Sequence, residues 1–303
     1  MAILSEEIYE PTGKHYPMRL ILKVVGCSSG NWYQAKADAN EKRKRGRKAA
    51  LSDEELLIEI RIAIGESRFH GEGYKKIWHR LRRKGMKADK DRVNRVMRAN
   101  NLLSPNRHDP KTVRKRTHNG EIITKAPNLL WATDGKKFYV DELGWCWFFG
   151  VIDHFNDELL AWHICKKGDR YAALEPVREA VRMRFGCVDK DVCAGMELKL
   201  RSDHGTQYDS NDFMKEMAFL GLNMSKSFVR SPESNGCIER FNRTLEEEVF
   251  SLSHFKTLED ARAAIKKFID DYNEDWLLER LGYKSPLEYM AEYKTNKVAI
   301  ATA

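Results

Sequence analysis

The sequence lacks long hydrophobic runs and any cysteine pattern typical of a metal or disulfide module. Its main apolar stretch, 145–152, is eight residues long and contains Gly150, whereas a membrane-spanning helix needs about 20. The amino terminus turns acidic within its first seven residues, so no secretory signal is predicted. The cysteines form no C-x-x-C pair and have no zinc-like spacing with histidine. These absences argue against a membrane protein, a disulfide framework and a Cys/His zinc module, and we expect a cytoplasmic protein.

Charge is distributed unevenly along the 303 residues. The whole chain has a net charge of +8, from 53 basic and 45 acidic residues. Residues 1–125 hold 29 basic and 15 acidic residues, a net charge of +14, and residues 126–303 have a net charge of −6. This asymmetry favours a polyanion-binding part joined to a part with another task. A merely solubilising basic surface is the alternative.

The basic half contains two helix-turn-helix patterns. The first joins an apolar helix at 17–25 to a helix at 31–34 across the glycine-bounded turn 26–30. The second joins an amphipathic helix at 74–84, ended by Gly85, to a helix at 90–100 that Asp89 caps. Its apolar residues Val93, Val96 and Met97 face inward. The outward basic residues of this helix are therefore candidate DNA contacts: Lys90, Arg92, Arg95 and Arg98.

Two basic segments flank the second pattern. Residues 41–48 hold six bases in eight positions, too many for any hydrophobic core. This segment is either a solvated linker or an arm along DNA phosphates, with Arg45 and Arg47 as candidate minor-groove contacts. The segment 104–120 has two prolines, few apolar residues and many bases, which indicates an interdomain linker.

The second half has the element order of an α/β domain. Strands are predicted at 129–140, 145–152, 159–164, 198–202 and 222–225, and helices at 171–185, 210–220, 237–252 and 259–273. Three meander strands followed by alternating helices and strands predict a mixed five-stranded sheet.

Three carboxylates of this half stand out. Asp134 lies inside an apolar strand, where an unpaired acid is costly; Asp203 ends another strand; Glu239 is near the start of a helix. Acids gathered at the edge of a sheet would repel one another unless a cation lay between them, and Mg²⁺ prefers such oxygen ligands. Acidic residues are common in this chain, so their spacing alone leaves open that these are ordinary surface acids.

Three sequence blocks carry a family resemblance. Trp-Ala-Thr-Asp at 131–134, Arg-Ser-Asp-His-Gly-Thr-Gln-Tyr at 201–208, and Ser-Pro-Glu-Ser-Asn-Gly-Cys-Ile-Glu-Arg-Phe-Asn-Arg-Thr-Leu at 231–245 resemble the signature blocks of the integrase core of DDE transposases. The separation of 35 residues between Asp203 and Glu239 is typical of that group. Residues 73–103 resemble the helix-turn-helix before this core in the second-frame (OrfB) proteins of the insertion-sequence-three family.

The resemblance implies an RNase H-like core after an all-α DNA-binding region. It implies a DNA transposase that nicks the ends of an insertion sequence and joins the 3′ ends to DNA by phosphoryl transfer. Asp134, Asp203 and Glu239 would bind two Mg²⁺ ions, with Mn²⁺ as a substitute. Arg240 and Arg243, on the helix of Glu239, are further candidate DNA contacts. No G-x-x-x-x-G-K-[ST] motif is present, in keeping with a reaction that needs no ATP.

The implied partners are the terminal inverted repeats, target DNA and further copies of the chain in a dimer or larger assembly. A first-frame protein, separate or fused, is another expected partner, no membrane is involved, and the expected location is the bacterial nucleoid. The predicted division is a helix-turn-helix-like segment with a basic arm at 1–50, a helix-turn-helix domain at 51–104, a basic linker at 105–125, the catalytic core at 126–291 and a tail at 292–303.

The sequence departs from the family at three positions. Many members have Lys or Arg seven residues after the catalytic Glu, where this chain has Glu246; Arg243 is a hypothetical replacement for that charge. Trp276 and Leu278 stand where the family usually has Arg and His. Two other functions stay open on the sequence: a non-catalytic DNA-binding repressor derived from a transposase, and an RNase H-type nuclease or junction resolvase.

Overall fold

The computed structural model describes residues 7–39, 51–105, 124–203, 205–226 and 235–301. The chain divides into two compact units, Met1–Ala50 and Leu51–Ala303. Arg45, Arg47 and most of the predicted linker lie outside the described residues.

The first unit is a short hairpin followed by two helices. Strands β1 (Ile8–Tyr9) and β2 (Lys14–His15) pair antiparallel and precede helices α1 (Met18–Val25) and α2 (Ser29–Ala39). Gly26 ends α1 in the left-handed conformation, φ 68°, which favours glycine. Both predicted helices are confirmed, and the hairpin was not predicted.

The second unit begins with a three-helix bundle, formed by α3 (Asp53–Glu66), α4 (Tyr74–Arg83) and α5 (Lys90–Ala99). Ser52 and Glu55 form a capping box at the start of α3, and Asp89 caps α5 as predicted. The bundle has its own apolar core, made of Leu56, Ile60, Ala63, Ile77, Leu81, Val93, Val96 and Met97.

The rest of the second unit is built on a mixed five-stranded sheet. Its strands are β3 (Leu130–Val140), β4 (Gly144–Asp153), β5 (Leu159–Cys165), β6 (Lys199–Ser202) and β7 (Asn223–Lys226), in the spatial order β5-β4-β3-β6-β7. The meander β3–β4–β5 is antiparallel, whereas β6 lies parallel to β3 and β7 parallel to β6. The predicted fold class is confirmed.

Helices cover both faces of this sheet. On one face, α6 (Arg170–Phe185) and α7 (Asn211–Leu220) share a core with Trp131 of β3. On the other, α8 (Gly236–Leu245) and α9 (Leu258–Asp275) share a core with Ala132, the next residue of β3. Successive residues of a strand point to opposite faces, so one strand serves both cores.

Two helical predictions needed correction. The helix predicted at 237–252 ends as an α-helix at Leu245 and continues as the π-helical turn Glu246–Phe250. A final helix, α10 (Pro286–Ala301), was missed and crosses the predicted boundary between core and tail. Proline at a first helical position was the available signal.

The three-helix bundle packs firmly against the sheet part of the same unit. Phe69, between α3 and α4, is 5% exposed and lies edge-on to Trp276 with ring centroids 4.7 Å apart. The guanidinium of Arg80 pairs with Glu72 and, at 3.0 Å, with Asp275 of α9. The bundle and the sheet part therefore form one body, while the division into domains at 51–104 and 126–291 stays a prediction. No helix in the described part of the chain is long and apolar enough to span a membrane.

Candidate active site

Two of the predicted carboxylates come from neighbouring parallel strands: Asp134 lies within β3, and Asp203 directly follows the last residue of β6. The register pairs Ala132 of β3 with Arg201 of β6. Asp134 and Asp203 are each two residues further along, and side chains at matched positions of parallel strands point to the same face. Sheet pairing therefore joins residues that are far apart in the sequence.

Glu239 lies in the first turn of α8, which packs over β3 and β4. Burial raises the pKa of Asp134 to about 6, and the negative charges of Asp203 and Glu239 add to this rise. Burial also raises the pKa of Glu239, an effect that Arg243 opposes and Asp203 increases. The three carboxylates are thus close enough to feel one another's charge.

Hydrogen bonds orient the two aspartates. The Asn242 side-chain amide donates to Oδ2 of Asp134 over 2.9 Å, and the Gly135 N–H donates to Oδ1 over 2.8 Å. The Gly205 N–H donates to Oδ1 of Asp203 over 2.9 Å. A β-carbon at position 205 would lie 2.6 Å from the side-chain nitrogen of Gln207 and 2.9 Å from that same oxygen, so a larger residue there would displace these two side chains.

A groove of about 560 Å³ opens in front of Asp134 and Glu239. It is also lined by two basic side chains, Lys136 and Arg243, and by Glu246 and Glu247. An all-oxygen donor set around a buried carboxylate with a raised pKa suits a hard divalent cation such as Mg²⁺. Among the described residues, however, no three Asp, Glu, His or Cys side chains already form a complete ion site.

The predicted DNA-contacting residues fall into separate places. Arg243 lines the groove and is exposed. Arg240 faces elsewhere, with its guanidinium 3.8 Å from the buried Asp157 carboxylate. Only Arg243 of these two therefore joins the carboxylates in the groove.

The four basic residues of α5 also lie in different surroundings. Arg92 and Arg95 both pair with Asp53 at 2.8 Å, which fixes α5 to the start of α3. Arg98 is exposed and lines a cavity of about 480 Å³ between the three-helix bundle and the sheet part, and Lys90 is exposed. The DNA contacts of all four residues stay predictions.

Of the three residues that differ from the family pattern, two contact a lysine and the third is buried. Glu246 lies 3.0 Å from the ammonium of Lys136, so the acid at this position faces a base supplied by β3. Trp276 carries the ammonium of Lys76 over its ring, 2.8 Å from the centroid, and helps hold the three-helix bundle. Leu278 is buried.

Asn242 and Lys136 are groove residues that the sequence did not single out. Asn242 follows Glu239 by one helical turn, so its spacing was a usable signal. Lys136 follows Asp134 by two residues on the predicted strand, so strand alternation was a usable signal, but only the fold shows that it lies opposite Glu246.

Several known proteins resemble this chain in sequence. Residues 220–286 match the family model described as "Integrase core domain". The transposase InsD of insertion element IS2 from Escherichia coli is 31% identical over 258 residues, which are 83% of this chain and 83% of the relative. The InsD protein of insertion element IS2-9 from E. coli strain K12 matches at the same identity and covers 82% of that protein.

Solved structures of retroviral integrases also align with the chain. A chain of the simian T-cell lymphotropic virus intasome is 16% identical, with a TM-score of 0.45, over 72% of this chain and 70% of that one. The HTLV-2 integrase catalytic core in complex with magnesium is 16% identical, with a TM-score of 0.41, over 55% of this chain and 97% of that one. The family assignment rests on the sequence relatives.

Proposed function

We propose a function from one premise: this chain belongs to the insertion-sequence-three family of DDE transposases, whose catalytic part is an RNase H-like integrase core. It is a DNA transposase, a polynucleotidyl transferase that nicks the ends of an insertion sequence and joins the 3′ ends to DNA. The observation that supports this best is the closeness of Asp134, Asp203 and Glu239, whose negative charges act on one another where α8 packs over β3.

The roles of the three carboxylates follow from their surroundings. Asp134 within β3 and Asp203 directly after β6 are held by hydrogen bonds, so they form the fixed half of the site. Glu239 is exposed on a helix turn and supplies a third carboxylate beside them. Together they would hold two Mg²⁺ ions. When bound, these ions would supply Lewis acidity for the attacking and leaving oxygens of an in-line displacement.

The chain's own residues then orient the DNA. Arg243 borders Glu239 in the groove and offers a guanidinium to the phosphate that is cut. Asn242 keeps Asp134 turned toward the groove. Water attack at the phosphate nicks the element end, and attack by the released 3′-hydroxyl joins two strands, so no covalent bond forms between protein and DNA.

The partners follow from this chemistry. The substrate is duplex DNA with the terminal repeats of the element, together with target DNA, at the nucleoid of the bacterial cytoplasm. Exposed Lys90 and Arg98 of the three-helix bundle, with Arg45 and Arg47 of the basic arm, contact DNA phosphates. Holding two ends requires a dimer or larger assembly, and a first-frame protein completes it.

The test is a strand-cleavage and joining assay on a labelled duplex from the element's own end, with Mg²⁺ or EDTA. Wild type should nick and join only with Mg²⁺, whereas Glu239→Gln and Asp203→Asn should still bind DNA but lose both products. Binding by wild type without either product, even with the first-frame protein added, would support a non-catalytic DNA-binding role. Nicking without joining would support an RNase H-type nuclease.

A further inference from the structure

The groove contains one basic residue that the reaction described above does not use. Among the side chains that line the groove, Lys136 and Arg243 are basic, whereas Asp134, Glu239, Glu246 and Glu247 are acidic. Arg243 lies on the helix of Glu239, and Lys136 lies on the strand of Asp134. The two cations therefore belong to different walls of the groove.

The fold aims Lys136 into the groove. It follows Asp134 by two residues on β3, and residues two apart on a strand point to the same face. Its side chain is 25% exposed, and lysine side chains of this kind generally cover their stems and leave the charged group to solvent. Its neighbour Lys137 points to the opposite face, where its ammonium lies 5.0 Å from the centre of the Trp147 ring.

Glu246 fixes the position of this ammonium. The Nζ of Lys136 lies 3.0 Å from Oε2 of Glu246, at the first residue of the π-helical turn. An ammonium has three N–H donors, so an ion pair with one carboxylate leaves donors for another acceptor. Within the described residues, Glu246 is the ion-pair partner found for Lys136.

We propose that Lys136 is a DNA-binding residue of the active site. Its ammonium binds a non-bridging phosphate oxygen of the DNA strand beside Asp134, and Glu246 holds it ready for that contact. The inference rests on the proposed function and adds to it a second cation on the wall opposite Arg243. It also gives Glu246 a role, because an acid there positions the base that contacts the phosphate.

The matched variants are Lys136→Gln and Glu246→Gln, which remove the same ion pair and leave amides of similar size. Binding of a labelled duplex from the element end is measured by fluorescence anisotropy without divalent metal, over a range of salt concentrations. Lys136→Gln should bind roughly 5- to 10-fold more weakly at ~0.1 M salt, with a log–log salt slope about 0.9 shallower. Glu246→Gln should bind more tightly than wild type, because removing an anion from the groove outweighs the loss of the ion pair that positions Lys136.

Three controls separate this contact from a structural ion pair. Lys136→Arg should keep the wild-type salt slope. Lys266→Gln should also keep it, because that variant removes an exposed lysine of α9 that pairs with Asp270. Thermal unfolding of each variant checks that it is folded.

Equal losses of binding in Lys136→Gln and Glu246→Gln, or an unchanged salt slope in Lys136→Gln, would overturn the inference. The binding assay needs no strand transfer. A wild-type protein that binds DNA but makes no product with Mg²⁺ would therefore count against the proposed function alone, and the salt slopes would still decide the role of Lys136.

Discussion

The side-chain amide of Asn242 donates a hydrogen bond to the carboxylate of Asp134 over 2.9 Å. These residues belong to α8 and β3, and Asn242 lies one helical turn after Glu239 on the same helix. This hydrogen bond therefore connects α8, which carries Glu239, to β3, which carries Asp134. The groove depends on this link between a helix and a strand that are distant in the sequence.

Replacing Asn242 by Ala should weaken the metal dependence of the reaction. Without its amide, Asp134 loses the donor to Oδ2, and removing such a supporting partner usually costs roughly 10- to 100-fold in metal affinity or activity. A Mg²⁺ titration of nicking should show a higher half-saturating concentration. Thr244→Val on the same helix is the control, since its hydroxyl bonds only the Arg240 carbonyl among the described contacts. An unchanged titration in Asn242→Ala would show that Asp134 needs no such support.

Arg243→Ala should reduce DNA joining while it leaves metal binding intact. The guanidinium is exposed in the groove and is not a metal ligand, so its loss removes a phosphate contact. It also removes a charge that opposes the rise in the pKa of Glu239. The joining rate and the Mg²⁺ titration are measured side by side, with Arg182→Ala of α6, an exposed arginine, as the control. If Arg243→Ala joined DNA at the wild-type rate, Arg243 would not contact the DNA phosphate.

Arg80→Met should destabilise the second unit strongly. Arg80 joins Glu72, whose side chain is 2% exposed, to Asp275 of α9. Removing one partner of a buried pair leaves an uncompensated charge, at a cost of about 3–5 kcal/mol. Urea unfolding should show this loss, and the double variant Glu72→Gln with Arg80→Met should recover much of it. A loss no greater than that of the exposed Arg82→Met would contradict the prediction.

Lys76→Met should change how stability depends on pH. Burial lowers the pKa of Lys76 to about 7 from 10.5, so between these values the unfolded chain binds more protons than the folded one. The contribution of Lys76 to the free energy of unfolding therefore increases as the pH rises from about 7 to 10.5. Unfolding free energies at ~pH 7 and ~pH 9 should show this extra rise in wild type and not in Lys76→Met. If wild type and Lys76→Met showed the same pH dependence of the unfolding free energy, the Trp276 ring would keep the Lys76 ammonium charged across this pH range.

Most helices and strands could be predicted because their signals are local. Asp89 caps a helix as expected, and the alternation of apolar residues marks the strands. The prediction at 237–252 was wrong beyond Leu245, since apolar periodicity does not distinguish an α-helix from a π-helical turn. The pairing of Arg92 and Arg95 with Asp53 was missed because ion pairs between helices depend on how those helices pack.

The sequence by itself determined the fold class and the family, and it predicted the three carboxylates, because helix caps, apolar periods and motif spacing are local features of the chain. Only the tertiary structure decided which charged groups share the groove. Sheet register sets Asp134 beside Asp203, and the π-helical turn brings Glu246 to Lys136. The physical reason is that a charged side chain acts through the groups within a few ångströms of it, and folding alone sets those neighbours.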